Sequence, residues 1–192
     1  LFHFKLPVSF KIGEKTILRF MEISKVSEDY YFALPKAPEI VRVDPDLSIL
    51  AKIAFSSPVS MLDAQLTNSE DVVGRLLAVE ELAKKKDADT VGKLKTALNE
   101  DPFYGVRIAA SKALRGIATN PAFESLVKST KQGDARVRRQ VVGDVASFYR
   151  SEALAVLIKT LEGEKNPSVR SVALVGLAGF EDERAQELIV EA

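Results

Sequence analysis

The side chains that most often perform catalysis or bind metal ions are scarce in this sequence. It contains one histidine, His3, and no cysteine. These counts exclude a site that needs two imidazoles, a thiolate zinc site, a cysteine nucleophile and a disulfide framework. His3 lies between Phe2 and Phe4 in an alternating strand pattern, where a solvent-facing residue is expected. Serine nucleophiles would therefore lack a histidine base.

Carboxylates and glycines are common, but their spacing does not define a site. The acidic residues at 80–81 and 181–183 fall on predicted helix faces or loops, where solvated charge is ordinary. The Asp44-Pro45-Asp46 segment fits a turn better than a cation site. No glycine-rich phosphate loop occurs in the sequence. We therefore expect no catalytic, metal-binding or cofactor-binding residue in this segment.

The overall charge excludes two broad classes of partner. The 192 residues include 27 basic and 27 acidic side chains, so electrostatic binding to nucleic acid or to an anionic membrane is not expected. The longest nearly unbroken apolar stretch, at residues 172–180, is about half the length of a membrane span. We expect a soluble protein, either cytoplasmic or periplasmic/secreted, and Leu1 indicates a piece cut from a longer chain.

One segment departs from this charge balance. Residues 128–150 contain six basic and two acidic side chains, whereas residues 181–192 contain five acidic side chains and one arginine. A basic surface on a solenoid can hold an acidic peptide or a partner domain, although ordinary helix-end charges would give the same composition. The candidate partner-binding residues are Lys128, Lys131, Arg136 and Arg139.

The composition changes near residue 57 and divides the chain into two regions. Residues 1–60 hold eight of the 14 aromatic residues and five of the eight prolines, whereas residues 61–192 hold 18 alanines. Aromatic, proline-punctuated sequence favours strands, and alanine-rich sequence favours close-packed helices. Ser57 could cap a helix that begins with Pro58. We predict a β domain over 1–57 and a helical domain over 58–192.

The first region alternates between apolar and polar residues with a period of two. The alternation runs from Phe2 to Ile12, and the turn at Gly13-Glu14 predicts that residues 16–23 return antiparallel. Further short strands are predicted at 30–34, 40–43 and 47–54. Five or six short strands without intervening helices indicate an antiparallel sheet or sandwich, and we predict a small antiparallel β-sandwich that lacks an N-terminal edge strand.

The second region repeats with a period of 31 or 32 residues. The repeated arginines are Arg75, Arg107, Arg138 and Arg170. Apolar residues follow each arginine at +3 and +7, which places them on one face of a helix. A second apolar register has the same period and consists of Leu62, Leu94, Leu126, Leu157 and Ile189. Together the two registers predict about four helix pairs with facing apolar stripes.

Single positions depart from this repeat. A valine precedes the arginine in three units, whereas Gly74 does so in the first. The second register also varies in the residue that lies four positions after Leu62, Leu94, Leu126 and Leu157. These residues are Leu66, Leu98, Thr130 and Leu161, respectively.

The predicted helix starts also recur along the chain. They lie at Asp101-Pro102, Asn120-Pro121, Asp134 and Asn166-Pro167.

The phrase Asp/Asn-x-x-Val-Arg, intact at 134–138 and 166–170, resembles the short type of HEAT repeat. The resemblance covers about residues 60–192 and implies an α-α superhelix in which Asp and Arg of successive units form an internal ladder. The structural ladder residues by this likeness are Asp134, Arg138, Asn166, Arg170, Arg107 and Arg75. The functional alternative is a row of arginines that grips an acidic ligand.

The first region is similar to the β-sandwich that follows the catalytic domain of aminopeptidase N-like zinc metallopeptidases. The similarity rests on Phe-Lys-Leu-Pro-Val at 4–8, Tyr-Phe-Ala-Leu-Pro at 31–35, Val-Arg-Val-Asp-Pro at 41–45 and Leu-Ser-Ile-Leu-Ala at 47–51. A helical solenoid follows the sandwich in that family, as it does here. The resemblance implies a parent protein that removes N-terminal residues from peptides with zinc bound at H-E-x-x-H and a downstream Glu. This motif is absent from the sequence, so we do not expect this segment to be an enzyme or to bind zinc.

Two functions are consistent with these features. The first is a noncatalytic C-terminal region that braces the catalytic domain of the same polypeptide and restricts peptide access. The alternative is a HEAT-repeat scaffold or adaptor that binds a peptide or protein on its concave face. A peptidase-like subunit that has lost catalysis belongs to the second class.

Overall fold

A computed structural model describes residues 3–191. These residues form three strands followed by nine helices, which confirms a mainly α fold. They divide into two compact units, one ending at Ala78 and the other beginning at Val79.

The strands form one antiparallel sheet with the order β2-β1-β3. They are β1 (Phe4–Ile12), β2 (Lys15–Ile23) and β3 (Ile40–Val43). The turn between β1 and β2 contains Gly13 at φ 61°, a left-handed conformation that glycine adopts without strain. The predicted hairpin is confirmed, and Phe10 at its centre lies opposite Ile17 on β2 and Val41 on β3.

The predicted β-sandwich is wrong for the described residues, which contain a single three-stranded sheet. Residues 30–34 and 47–54, expected as strands, lie outside that sheet. Phe32 instead packs its ring 4.8 Å from the ring of Phe10. Alternation indicates an extended chain, but a strand also needs a neighbour for its backbone hydrogen bonds. Phe2, the first residue of the predicted alternation, lies outside the described residues.

A turn follows β3 at the predicted position. Asp44 and Leu47 have φ of 47° and 52°. The Asp44 carboxylate accepts hydrogen bonds from the backbone N–H groups of Ser48 and Ile49 at 2.8 and 2.9 Å. Burial opposes ionisation, but these hydrogen bonds and that of the Ser48 hydroxyl hold the pKa of Asp44 below its ordinary value. The carboxylate is therefore used within the turn.

The nine described helices follow the predicted pairing. They are α1 (Val59–Leu66), α2 (Val72–Leu82), α3 (Ala88–Glu100), α4 (Tyr104–Ile117), α5 (Asn120–Lys128), α6 (Ala135–Ala146), α7 (Ser151–Gly163), α8 (Pro167–Leu177) and α9 (Glu183–Glu191). In the second unit α3 packs on α4 and α5, α4 on α6, α6 on α8, and α7 on α8 and α9. Between α1 and α2, the Gln65 side chain donates a hydrogen bond to the carbonyl oxygen of Gly74 at 2.6 Å. The helices thus form four consecutive pairs and α9.

Two of the predicted helix caps are present. The Asp134 carboxylate accepts a hydrogen bond from the backbone N–H of Arg136 at the start of α6. The Asn166 side chain accepts hydrogen bonds from Ser168 and Val169 at the start of α8. Each cap satisfies N–H groups that the first helical turn leaves without partners.

Three other predicted caps are wrong, namely Ser57, Asp101 and Asn120. Pro58 precedes α1 without a side-chain cap. Phe103 is the residue before α4 and gives no side-chain cap. The Asp101 carboxylate accepts a hydrogen bond from the backbone N–H of Phe103, in the turn before the helix. Thr119 caps α5, one residue earlier than expected.

The apolar repeat positions form the core of the helices. The +3 and +7 positions after the arginines are fully buried, and they are Ala78, Leu82, Ala110, Leu114, Val141, Val145, Ala173 and Leu177. Leu94, Leu126 and Leu157 of the second register are also 0% exposed. Ile189 is the exception at 40% exposed, because it lies on α9, the last of the described helices. The two registers are therefore confirmed except at Ile189.

Candidate functional site

Arg138 joins the turns of two neighbouring helix pairs. Its Nη1 atom donates to the carbonyl oxygens of Gln132 and Gly133 at 2.8 and 2.9 Å. Its Nε and Nη2 atoms donate to the Glu164 carboxylate at 2.7 and 3.2 Å. The hydrogen bonds from Arg138 lower the pKa of Glu164. The guanidinium therefore links the turn before α6 to the end of α7.

Arg75 and Arg170 also bind the turn carbonyls of their own helix pairs. Arg75 Nη1 donates to the carbonyl oxygens of Asn68 and Ser69 at 2.8 and 2.9 Å. Arg170 Nη1 donates to the carbonyl oxygen of Leu161 at 2.6 Å. Helix ends leave such carbonyls without intrahelical partners. These contacts favour a structural role over an arginine row that grips an acidic ligand.

The ladder partners differ from those that the HEAT resemblance implies. Asp134 pairs with Arg136 at 2.6 Å, and the repeat arginine Arg138 pairs with Glu164 instead. The side-chain hydrogen bond from Arg136 is the main reason why the pKa of Asp134 lies well below its ordinary value. Arg107 donates to the side-chain oxygen of Gln132 at 3.3 Å.

The four residues of the predicted basic patch do not line one cavity. Arg136 stacks on Tyr104, with its guanidinium carbon 3.4 Å from the ring centroid, in a cation–π contact. Arg139 is exposed on α6. Lys128 and Lys131 line a cavity beside α5, and neither Arg136 nor Arg139 belongs to its lining. The predicted patch is thus divided between α6 and the space beside α5.

This cavity, of about 590 Å³, lies between α5 and α7. Its apolar lining includes Val127, Val142, Val156 and Val169. A second cavity of about 300 Å³ adjoins it along α5 and shares Val127 and Lys128. We name the two together the α5–α7 groove.

Basic side chains predominate around the larger cavity. Lys128, Lys131 and Lys159 all line it. The acidic side chain in its lining is Glu164, whose carboxylate is bound by Arg138. Lys131 and Lys159 are exposed and make no ion pair with any described residue. The larger cavity therefore combines an apolar floor with two ammonium groups, those of Lys131 and Lys159, that pair with no described carboxylate.

The groove exists because α5 is shorter than its equivalents. It has nine residues, whereas α3 and α7 each have 13, and the difference is about one helical turn. The repeat position that holds the buried Leu98 in α3 and the buried Leu161 in α7 is occupied by Thr130, just past the end of α5. Threonine is too small to fill the space that leucine fills in the other pairs.

Lys159 was not predicted from the sequence. It lies on α7, and the packing of α6 and α7 brings it to the same cavity as Lys131. The signal that could have found the groove is Thr130, because a repeat position without its leucine marks an unfilled part of the core.

The part of the chain that the structure describes contains neither a candidate metal site nor a candidate membrane-spanning helix. Among residues 3–191 no group of three or more histidines and carboxylates is placed to hold a metal ion. His3 is exposed. No helix among these residues has the length and apolar character that a membrane crossing requires.

Residues 59–144 match the family model of HEAT repeats. The match runs from the start of α1 into α6, and the spacing of the buried leucines continues into α7. A search of curated proteins finds none that matches the chain. Over residues 59–144 the chain is therefore similar to HEAT repeats.

Proposed function

We propose that the chain is a HEAT-repeat scaffold that binds another protein through its helices. The observation that carries the proposal is the match of residues 59–144 to HEAT repeats, which commonly mediate protein–protein interaction. Stacked repeats provide long concave surfaces on which a partner can lie. Two surfaces are available for a partner, namely the exposed side of α6, which carries Arg139, and the α5–α7 groove.

Affinity capture followed by a purified binary assay tests this function. The whole chain is immobilised and exposed to an extract of the source cells, and a captured protein is then purified and titrated against the chain by calorimetry. A saturable complex with a fixed stoichiometry is expected. The control is a Leu126→Asp variant, in which a buried charge unfolds the repeats. Capture that is equal on the folded chain and on this variant would contradict the proposal.

A second candidate is a noncatalytic region of an aminopeptidase N-like metallopeptidase. The order of a β region followed by HEAT repeats favours it. In this role the segment braces the catalytic domain of the same polypeptide and restricts peptide access, and zinc is bound in that other domain. An H-E-x-x-H motif with a downstream Glu in the sequence before Leu1 would support the role, and an upstream sequence without it would contradict it.

Under either function this segment performs no catalysis and binds no cofactor. The purified chain should not hydrolyse aminoacyl fluorogenic substrates and should contain no zinc by elemental analysis. Turnover that co-purifies with the chain, or a stoichiometric amount of zinc, would contradict this assignment.

A further inference from the structure

We infer that the α5–α7 groove binds an acidic peptide segment that carries aliphatic side chains. This site rests on the proposed scaffold function and specifies both where a partner binds and what chemistry it presents. The groove is defined by the two cavities of about 590 and 300 Å³ that meet at Val127 and Lys128.

The floor of the groove requires an apolar occupant. Val142 and Val169 are 2% and 0% exposed, and Val127 and Val156 are partly buried beside them. In the neighbouring pairs a leucine of the chain fills the corresponding space, whereas Thr130 leaves it open. An aliphatic side chain from a partner can take the position of that leucine and remove the same apolar surface from water.

The rim of the larger cavity favours an acidic occupant. Lys131 and Lys159 are exposed, so that a carboxylate could reach either ammonium group. Lys128 pairs with Glu124 at 3.4 Å in an exposed contact, a kind that contributes little stability and can be exchanged. At this cavity a basic peptide would meet three lysines and one carboxylate, Glu164, that Arg138 already binds, and it is therefore disfavoured.

The shape of the groove favours a peptide over a compact small molecule. The second cavity extends the first along α5 toward Arg150 and Glu152, at the beginning of α7. An elongated groove with an apolar floor suits a chain segment that inserts side chains at intervals, as amphipathic peptides do in hydrophobic grooves. This end carries charges of both signs, because Arg150, stacked 4.9 Å from the ring centroid of Phe123, lines it together with Glu124 and Glu152.

A random peptide library displayed on phage provides the probe. The library is selected against the whole chain, and the most enriched peptide is synthesised and titrated by fluorescence anisotropy. We expect enriched sequences that combine Asp or Glu with Leu, Ile or Val. Added sodium chloride should weaken their binding, because salt screens exposed charge pairs.

Charge reversal in the groove provides the first variant. Lys131→Glu combined with Lys159→Glu should lower the affinity for the peptide about tenfold or more, since the two substitutions replace two attractions by two repulsions. The matched control is Lys86→Glu combined with Lys112→Glu, which makes the same change of net charge at exposed positions before α3 and on α4. The control variant should bind with unchanged affinity, and thermal melting of both variants should show that they fold.

Filling the groove provides a second variant that leaves the charge unchanged. Thr130→Leu restores the repeat leucine and should occupy the space that the peptide side chain needs. We expect the affinity for the peptide to fall about tenfold or more. The melting temperature of this variant should be at least equal to that of the native chain. Thr130→Ser, which keeps a small hydroxyl side chain, should bind like the native chain.

The results separate the groove from the scaffold function. Peptides that bind the Lys131→Glu, Lys159→Glu variant as tightly as the native chain would overturn the groove as their site, and basic enriched peptides would overturn the acidic partner. If no peptide is selected but affinity capture identifies a partner that Thr130→Leu still binds, the groove inference fails and the scaffold function stands. If neither peptide nor protein binds, both fail.

Discussion

The first helix pair and the later ones fill the same repeat position with different chemistry. In the later pairs Val106, Val137 and Val169 precede the repeat arginine, and each is 0% exposed. In the first pair this position is Gly74, and Arg42 from β3 occupies the space beside it. A buried residue of the repeat can therefore be absent where a side chain from outside the repeat fills its space.

The contact around Gly74 explains why glycine is required there. Arg42 is 5% exposed and forms an ion pair with Asp71, whose carboxylate also accepts the backbone N–H of Gly74 at 2.7 Å. A Cβ atom at Gly74 would overlap Asp71 Oδ2 and Arg42 Nη1. The first pair thus exchanges one apolar contact of the repeat for an ion pair with the sheet.

A substitution in the apolar core between the later helix pairs should have the largest effect on stability. Leu126→Ala should lower the free energy of unfolding by about 2–5 kcal/mol, because it removes a fully buried side chain between helix pairs and leaves a cavity. Urea denaturation measures the change. Val190→Ala, at an 87% exposed position, is the control and should be nearly neutral. A change for Leu126→Ala within about 0.5 kcal/mol would mean that the buried register is misplaced.

A valine at the first pair tests the other side of the comparison. Gly74→Val restores the residue of the later pairs, yet it should destabilise the chain by about 1–3 kcal/mol, because the added atoms overlap the Arg42–Asp71 pair. In an Arg42→Ala background the same substitution should cost less, since one of the two overlapping side chains is then removed and Asp71 loses the partner that holds it in place. The two urea midpoints measure this coupling. A stabilising effect of Gly74→Val in the native background would contradict the contact.

The helices were predictable because each repeats the same local rule. Apolar residues at +3 and +7 must face one side of a helix, and a capping side chain needs only its own first turn, as at Asp134 and Asn166. The strands at 30–34 and 47–54 failed because pairing depends on distant partners that alternation does not identify. Tyr31 and Leu50 fit a strand pattern but are 92% and 108% exposed.

The binding surface was only partly predictable for a similar reason. The charge count over 128–150 identified Lys128 and Lys131, which do line the groove. It also included Arg136, which is engaged with Asp134 and Tyr104. Composition along the chain cannot distinguish a free cation from one that is already paired, because the distinction depends on the neighbouring helices.

A buried carboxylate in the repeats contrasts with the buried guanidinium of the first unit. Asp144 on α6 is 2% exposed and accepts hydrogen bonds from Ser111 Oγ at 2.6 Å and Gln140 Nε2 at 3.0 Å. Burial raises its pKa, and the two hydrogen bonds and the charges of Arg115 and Lys112 reverse only part of that rise. Arg42 has a carboxylate partner, whereas the direct partners of Asp144 are neutral.

Asp144→Asn should therefore change the pH dependence of the free energy of unfolding. We expect this effect to be the smallest of the three. Because folding raises the pKa of Asp144 above its ordinary 3.8, its stabilising contribution is fully present below that pH and is lost as pH rises through the native value. Asparagine stays neutral and can still accept from Gln140 and donate to Ser111. Urea denaturation at a series of pH values from acid to neutral measures this effect. The free energy of unfolding of the variant, relative to that of the native chain, should increase as pH rises. Asp134→Asn is the control with the opposite trend, because folding lowers the pKa of Asp134. A pH-independent difference for Asp144→Asn would mean that Asp144 titrates alike in the folded and unfolded chains.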